Sequence, residues 1–90
     1  MPDSTHLSEA ASTLESAAAD VDGDAADRLD RLAGQLRDLV DSGRTPDHGR
    51  LDRMLNALSE VESSVDGDAA DAVDRAREQI TTYREGVSGV

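Results

Sequence analysis

Apolar residues recur three and four positions apart along the first half of the chain, at Leu7, Ala10, Ala11, Leu14, Ala17, Ala18 and Val21. Beyond an Asp-Gly-Asp they resume at Ala25, Leu29, Leu32, Leu36, Leu39 and Val40. The second half keeps the same rhythm, first through Leu51, Met54, Leu55, Leu58, Val61 and Val65 and then through Ala69, Val73, Ala76, Ile80, Tyr83 and Val87. This spacing makes one face of a helix apolar, whereas no segment alternates with the period of two that a half-buried strand requires. β-Branched residues are sparse, which also disfavours strands. The pattern predicts helices near residues 3–21, 24–41, 46–65 and 68–86, each about 27 Å long at 1.5 Å per residue.

The breaks between these segments carry their own signals. Val-Asp-Gly-Asp-Ala-Ala-Asp occurs at Val21 to Asp27 and again, unchanged, at Val65 to Asp71. Gly23 and Gly67 are suited to the left-handed conformation that ends a helix, Asp24 and Asp68 to capping the next one, and Asp27 and Asp71 to its positive first turn. Asp41-Ser42-Gly43-Arg44 ends the second helix, and Thr45-Pro46-Asp47 opens the third with proline expected at the first helical position. Pro2-Asp3-Ser4 is expected to open the first in the same way.

Sliding the chain by 44 positions makes 14 of the 42 aligned residues from Pro2 to Gly43 identical, without a gap. A period of this length marks supersecondary units that bury their apolar faces only against one another. The fold class expected is therefore all-α, a four-helix bundle built from two duplicated helical hairpins. It forms a single domain, 1–90, with internal repeats 1–44 and 45–88.

Composition narrows the picture. The chain has 20 acids against 9 bases, every base an arginine, for a net charge of −11. Aspartate exceeds glutamate 14 to 6, although glutamate is the better helix former. A dense carboxylate surface is tolerable where salt shortens the screening length, so a salt-rich cytoplasm is expected. The only aromatic residue is Tyr83 and alanine dominates the first helix, so apolar area is thin and a homodimer is expected to supplement it. No cysteine occurs, which excludes disulfides and thiolate metal sites. No basic-then-apolar leader and no run of about 20 apolar residues is present, so a cytoplasmic protein without a membrane span is expected.

Candidate chemistry is scarce. Asp20, Asp22 and Asp24 mimic the opening of a calcium loop, but Ala25 stands where its glycine belongs and Arg31 where its bidentate acid belongs. His6 and His48 have no histidine four residues away on a helix face, and the serines at 4, 8, 12 and 16 form a polar stripe without a base. No nucleophile elbow or phosphate loop exists. The chain is therefore expected not to be an enzyme and to hold no catalytic, cofactor or metal residues. Two surfaces stand out. Gly34, costly by roughly 1 kcal/mol inside a helix, marks a candidate partner contact together with Leu36, Leu39 and Val40, although the leucines also suit a core. Arg44, His48, Arg50 and Arg53 make a candidate basic patch, interrupted by Asp47 and Asp52 and opposed by a net charge that repels phosphates. Many acids have an arginine three or four residues on, and the surface pairs expected among them are Asp24 with Arg28, Asp27 with Arg31, Asp71 with Arg75 and Asp74 with Arg77.

Through Pro46-Asp47-His48-Gly49-Arg50-Leu51, the Asp-Gly-Asp-Ala-Ala-Asp segments and the closing Tyr83-Arg84-Glu85-Gly86-Val87, the chain resembles a group of short, uncharacterised acidic helical proteins of halophilic archaea. The resemblance spans nearly the full length. It implies a haloarchaeal cytoplasmic origin and a helical fold, and carries over no functional residues. The expected role is a small acidic interaction or scaffold protein, a homodimer or the partner of another protein. The alternatives are a regulator touching nucleic acid through Arg44 to Arg53 and a non-catalytic subunit of a larger enzyme.

Overall fold

In the computed structural model, which describes residues 4–86, the chain forms α1 (Thr5–Ala19), α2 (Gly23–Ser42), α3 (His48–Glu62) and α4 (Gly67–Gly86). No strand occurs among the described residues. The expected cap at Pro2-Asp3 and the seam position Val87 lie outside them. Gly23, Gly43 and Gly67 have φ of 69°, 69° and 61°, so all three helix breaks turn on a residue that adopts the left-handed region at little cost. At the start of α3, Asp47 is the cap, its Oδ1 accepting from the Arg50 amide at 2.7 Å. Pro46 thus sits before the cap and is buried, not at the first helical position. Asp24 and Asp68 lie in the first turns of α2 and α4, where they act as charges.

Short connections run neighbouring helices antiparallel. α1 packs along its length against both α2 and α4, α4 also takes α3, and α2 and α3 meet least. The alanines of α1 explain its central place. Ala10, Ala11 and Ala17 are 1% exposed or less, and with only a methyl to accommodate, two helices can close on one. Eight of the nine largest fully buried side chains recur every 22 residues, at Leu7, Leu29, Leu51 and Val73 and again at Leu14, Leu36, Leu58 and Ile80, the ninth being Val61. Because neighbours are antiparallel, Leu7, Leu36, Leu51 and Ile80 gather at one end of the interior. Leu14, Leu29, Leu58 and Val73 gather at the other. Among the described residues no polar or charged side chain is buried.

The arginines mostly bridge helices instead of pairing along them. Only Asp74 to Arg77, at 3.7 Å, forms among the four expected surface pairs. Arg37 of α2 grips Glu15 of α1 through two hydrogen bonds, 2.8 and 3.3 Å, and also reaches Ser12 at 3.0 Å. Arg77 meets Glu62 at 3.1 Å and Arg84 meets Asp52 at 3.2 Å, both tying α4 to α3. A guanidinium on a long stem reaches across a seam as readily as up its own helix, and the bidentate fork rewards it for doing so. The Arg37 hydrogen bond holds Glu15 below the ordinary carboxylate range, against a smaller opposing effect of desolvation. A lowered folded-state pKa means that this contribution is intact above the unfolded value and fades as pH falls through the folded one. Both partners are exposed, so it is small.

Candidate functional site

The face where α2 and α3 diverge is a groove of about 390 Å³ lined by Arg28, Arg31, Leu32 and Gln35 of α2 and by Arg50, Arg53, Met54 and Ala57 of α3. Two other depressions are of similar size, about 390 and 410 Å³, but acids line both. Size therefore does not single out the α2–α3 groove, whereas its lining does. Four of the nine arginines meet there, and among the described residues no acid lines it.

Local sequence builds the two walls alike. Arg28-Leu29-Asp30-Arg31-Leu32 and Arg50-Leu51-Asp52-Arg53-Met54 share one pattern. In each, the leucine is fully buried and the aspartate faces solvent, so both arginines and the fifth residue turn toward the groove. Gln35 and Ala57 complete the walls, seven residues after the first arginine in each case. Arg28 of α2 approaches Glu60 of α3 at 3.8 Å, which sets the start of one helix beside the end of the other. The two arginine pairs consequently enter from opposite ends, with Leu32, Met54 and Ala57 between them.

These cations are largely unspent. Arg28 has only its long, exposed contact to Glu60. Arg31, Arg50 and Arg53 have no side-chain ion pair or hydrogen bond among the described residues. The groove is thus a local positive strip on a negative molecule, over a narrow floor in which Ala57 is half-buried and Leu32 and Met54 are only 7% and 3% exposed, and it is suited to holding an anion by guanidinium forks. Among the described residues it presents no nucleophile or general base, and no three His, Cys, Asp or Glu side chains converge as a metal-binding group.

The structure distributes the residues singled out from sequence. Arg50 and Arg53 line the groove, while Arg44 is exposed in the linker and His48 opens α3, half-buried with Nε2 unpartnered. Leu36 is fully buried in the core, and Leu39 and Val40 are half-buried against it. Gly34 is exposed, and a Cβ added there would meet nothing within 4 Å. Nothing among the described residues therefore requires this glycine. Gly34→Ala is expected to raise stability by roughly 1 kcal/mol, read as an increased urea midpoint at constant slope, and a decrease would contradict the open space.

Arg28 and Arg31 were hidden by their local acids Asp24 and Asp27, which made them read as helix-surface partners. The recurrence of Arg-Leu-Asp-Arg at positions 28 and 50 was the signal that could have found them. Among the described residues no helix is long and apolar enough to cross a membrane. No curated protein and no solved structure matches the chain. A family model does match, over residues 2–86, and with nearly the whole sequence covered the chain belongs to the family of unknown function DUF7553.

Proposed function

We propose that this protein is a small non-catalytic interaction or scaffold module of a salt-rich cytoplasm, whose docking surface is the α2–α3 face. The observation that carries this reading is the groove, where unspent arginines flank apolar side chains on an otherwise acidic chain. Binding surfaces are recognised by such a local reversal of charge around an apolar centre, and arginine is enriched in them. A role as the non-catalytic subunit of a larger enzyme would use the same face. The 44-residue self-similarity supports an origin by duplication of a helical hairpin, and the acidic, arginine-only composition supports a haloarchaeal source.

A homodimer remains part of this proposal, but not through the groove, because face-to-face docking would oppose two sets of four arginines. The exposed Gly34 side of α2 is the better self-contact. The second reading, a regulator of nucleic acid, gains Arg28 and Arg31 beside Arg50 and Arg53 as phosphate contacts. Against it stand the net charge of −11 and the absence of an aromatic platform.

A photo-crosslinking residue placed at Gln35, inside the groove, is expected to capture one discrete protein from a native high-salt lysate. The same residue at Glu78, on the exposed face of α4, is expected to capture none. Equal yields from both positions would refute a dedicated docking face, and capture of nucleic acid at Gln35 would favour the second reading.

A further inference from the structure

Resting on that reading, the geometry points to one kind of occupant: a single acidic amphipathic helix of another protein, with an apolar pair at its centre and a carboxylate at each end. The groove positions of α2 run from Arg28 to Gln35, two turns or about 10 Å. Those of α3 run in the opposite direction, and with Arg28 level with Glu60 Arg53 and Arg50 fall about 10.5 and 15 Å along the groove from Arg28, so the centres of the two arginine pairs stand roughly two turns apart. On a helix, acids seven residues apart span about 10.5 Å, and apolar residues at the third and fourth positions after the first acid share their face. The complementary pattern is Glu-x-x-Leu-Leu-x-x-Glu, whose leucines would meet Leu32, Met54 and Ala57 while each glutamate meets one arginine pair.

Other occupants use less of the surface. A small inorganic anion would engage one arginine pair and leave the other, roughly two turns away, without a partner. A second copy brings carboxylates without the apolar stripe, because no leucine, isoleucine, valine or methionine among the described residues is fully exposed. Duplex DNA would carry its phosphates past the acids Asp30 and Asp52, which flank the groove arginines in sequence and face solvent.

The matched walls add a sharper consequence. Antiparallel helices carrying the same arginine spacing bring one pair to each end of the groove, although Arg28 alone meets an acid, Glu60, and Gln35 on one wall stands where Ala57 does on the other. Arg31 and Arg53, which hold the same place in the two pairs and have no ion pair, contribute equally.

The test uses an acetylated, amidated, fluorescently labelled helical peptide bearing Glu-x-x-Leu-Leu-x-x-Glu on one face, titrated with the full chain and followed by anisotropy. Binding is expected, and Arg31→Gln and Arg53→Gln are each expected to weaken it by about tenfold, equally within a factor of about two. Arg75→Gln, at a cation outside the groove, is expected to leave it unchanged. In the double variant Arg31→Glu with Arg53→Glu, whose fold is checked by circular dichroism, preference is expected to pass to the peptide with lysines in place of the glutamates. No binding, equal binding of a glutamine-for-glutamate peptide, or losses confined to one of the two arginines would overturn the proposal. So would arginine-dependent displacement of the peptide by sodium pyrophosphate or a DNA duplex at lower concentration than unlabelled peptide. A positive Gln35 cross-link with no peptide binding would remove this helix proposal alone, whereas failure of both would remove the docking face as well.

Discussion

Leu14→Ala is expected to cost about 3 kcal/mol, a large part of the stability of a domain this small. Leu14 is fully buried on α1, the helix held between α2 and α4, and shares its end of the interior with Leu29, Leu58 and Val73. Truncation loses the transfer energy of the side chain and leaves a cavity, and the size of the second effect depends on how far neighbours can close in. Here they can close in little. The α1 residues beside it, Ala10, Ala11, Ala17 and Ala18, have no flexible atoms to offer. The melting temperature should fall by roughly 10–20 °C. Leu39→Ala provides the comparison, because Leu39 is only half-buried, and its cost should stay near 1 kcal/mol. Urea unfolding at constant high salt measures both. If the two substitutions cost the same, α1 is not the central helix of this bundle.

Transfer from about 2 M to about 0.05 M potassium chloride should destabilise the protein by on the order of 3 kcal/mol. The radius of gyration of 12.3 Å corresponds to a sphere of about 16 Å radius, and the net charge is −11. Unfolding spreads that charge over roughly twice the radius, relieving repulsion that salt otherwise screens. Raising salt thus favours the compact state more than the expanded one. Local pairing does not remove the problem, since among the described residues Arg28, Arg37, Arg77 and Arg84 alone form ion pairs, and exposed pairs contribute little. A melting temperature that changes by less than about 2 °C across this range would show that the carboxylates do not burden the fold, and would remove the physical basis for a salt-rich setting.

Much of the fold was legible because burial in a helical bundle writes a period into the sequence. Leu7, Leu14, Leu51 and Leu58 could not be moved one position without turning them to solvent. The glycine breaks were legible for a similar reason, since Gly23 and Gly67 adopt a backbone conformation that other residues resist. Side-chain pairing was less so. A helix offers Arg28 both Asp24 along its own axis and Glu60 across the gap, and only tertiary geometry decides between them. Half of the groove was hidden for the same reason. Arg50 and Arg53 stood out as a linear cluster, whereas Arg28 and Arg31 join them through the way α2 lies beside α3.

The position of α1 also bears on how the molecule is made. Its second neighbour is α4, the fourth helix, and the two are joined across sequence separations of 66 and 70 by Thr13 and Glu9 with Gln79. A nascent chain still missing α4 leaves half of the α1 alanine face uncovered and gives α3 its poorest neighbour, α2. Folding is therefore expected to wait until α4 has been made and then to close as one cooperative event.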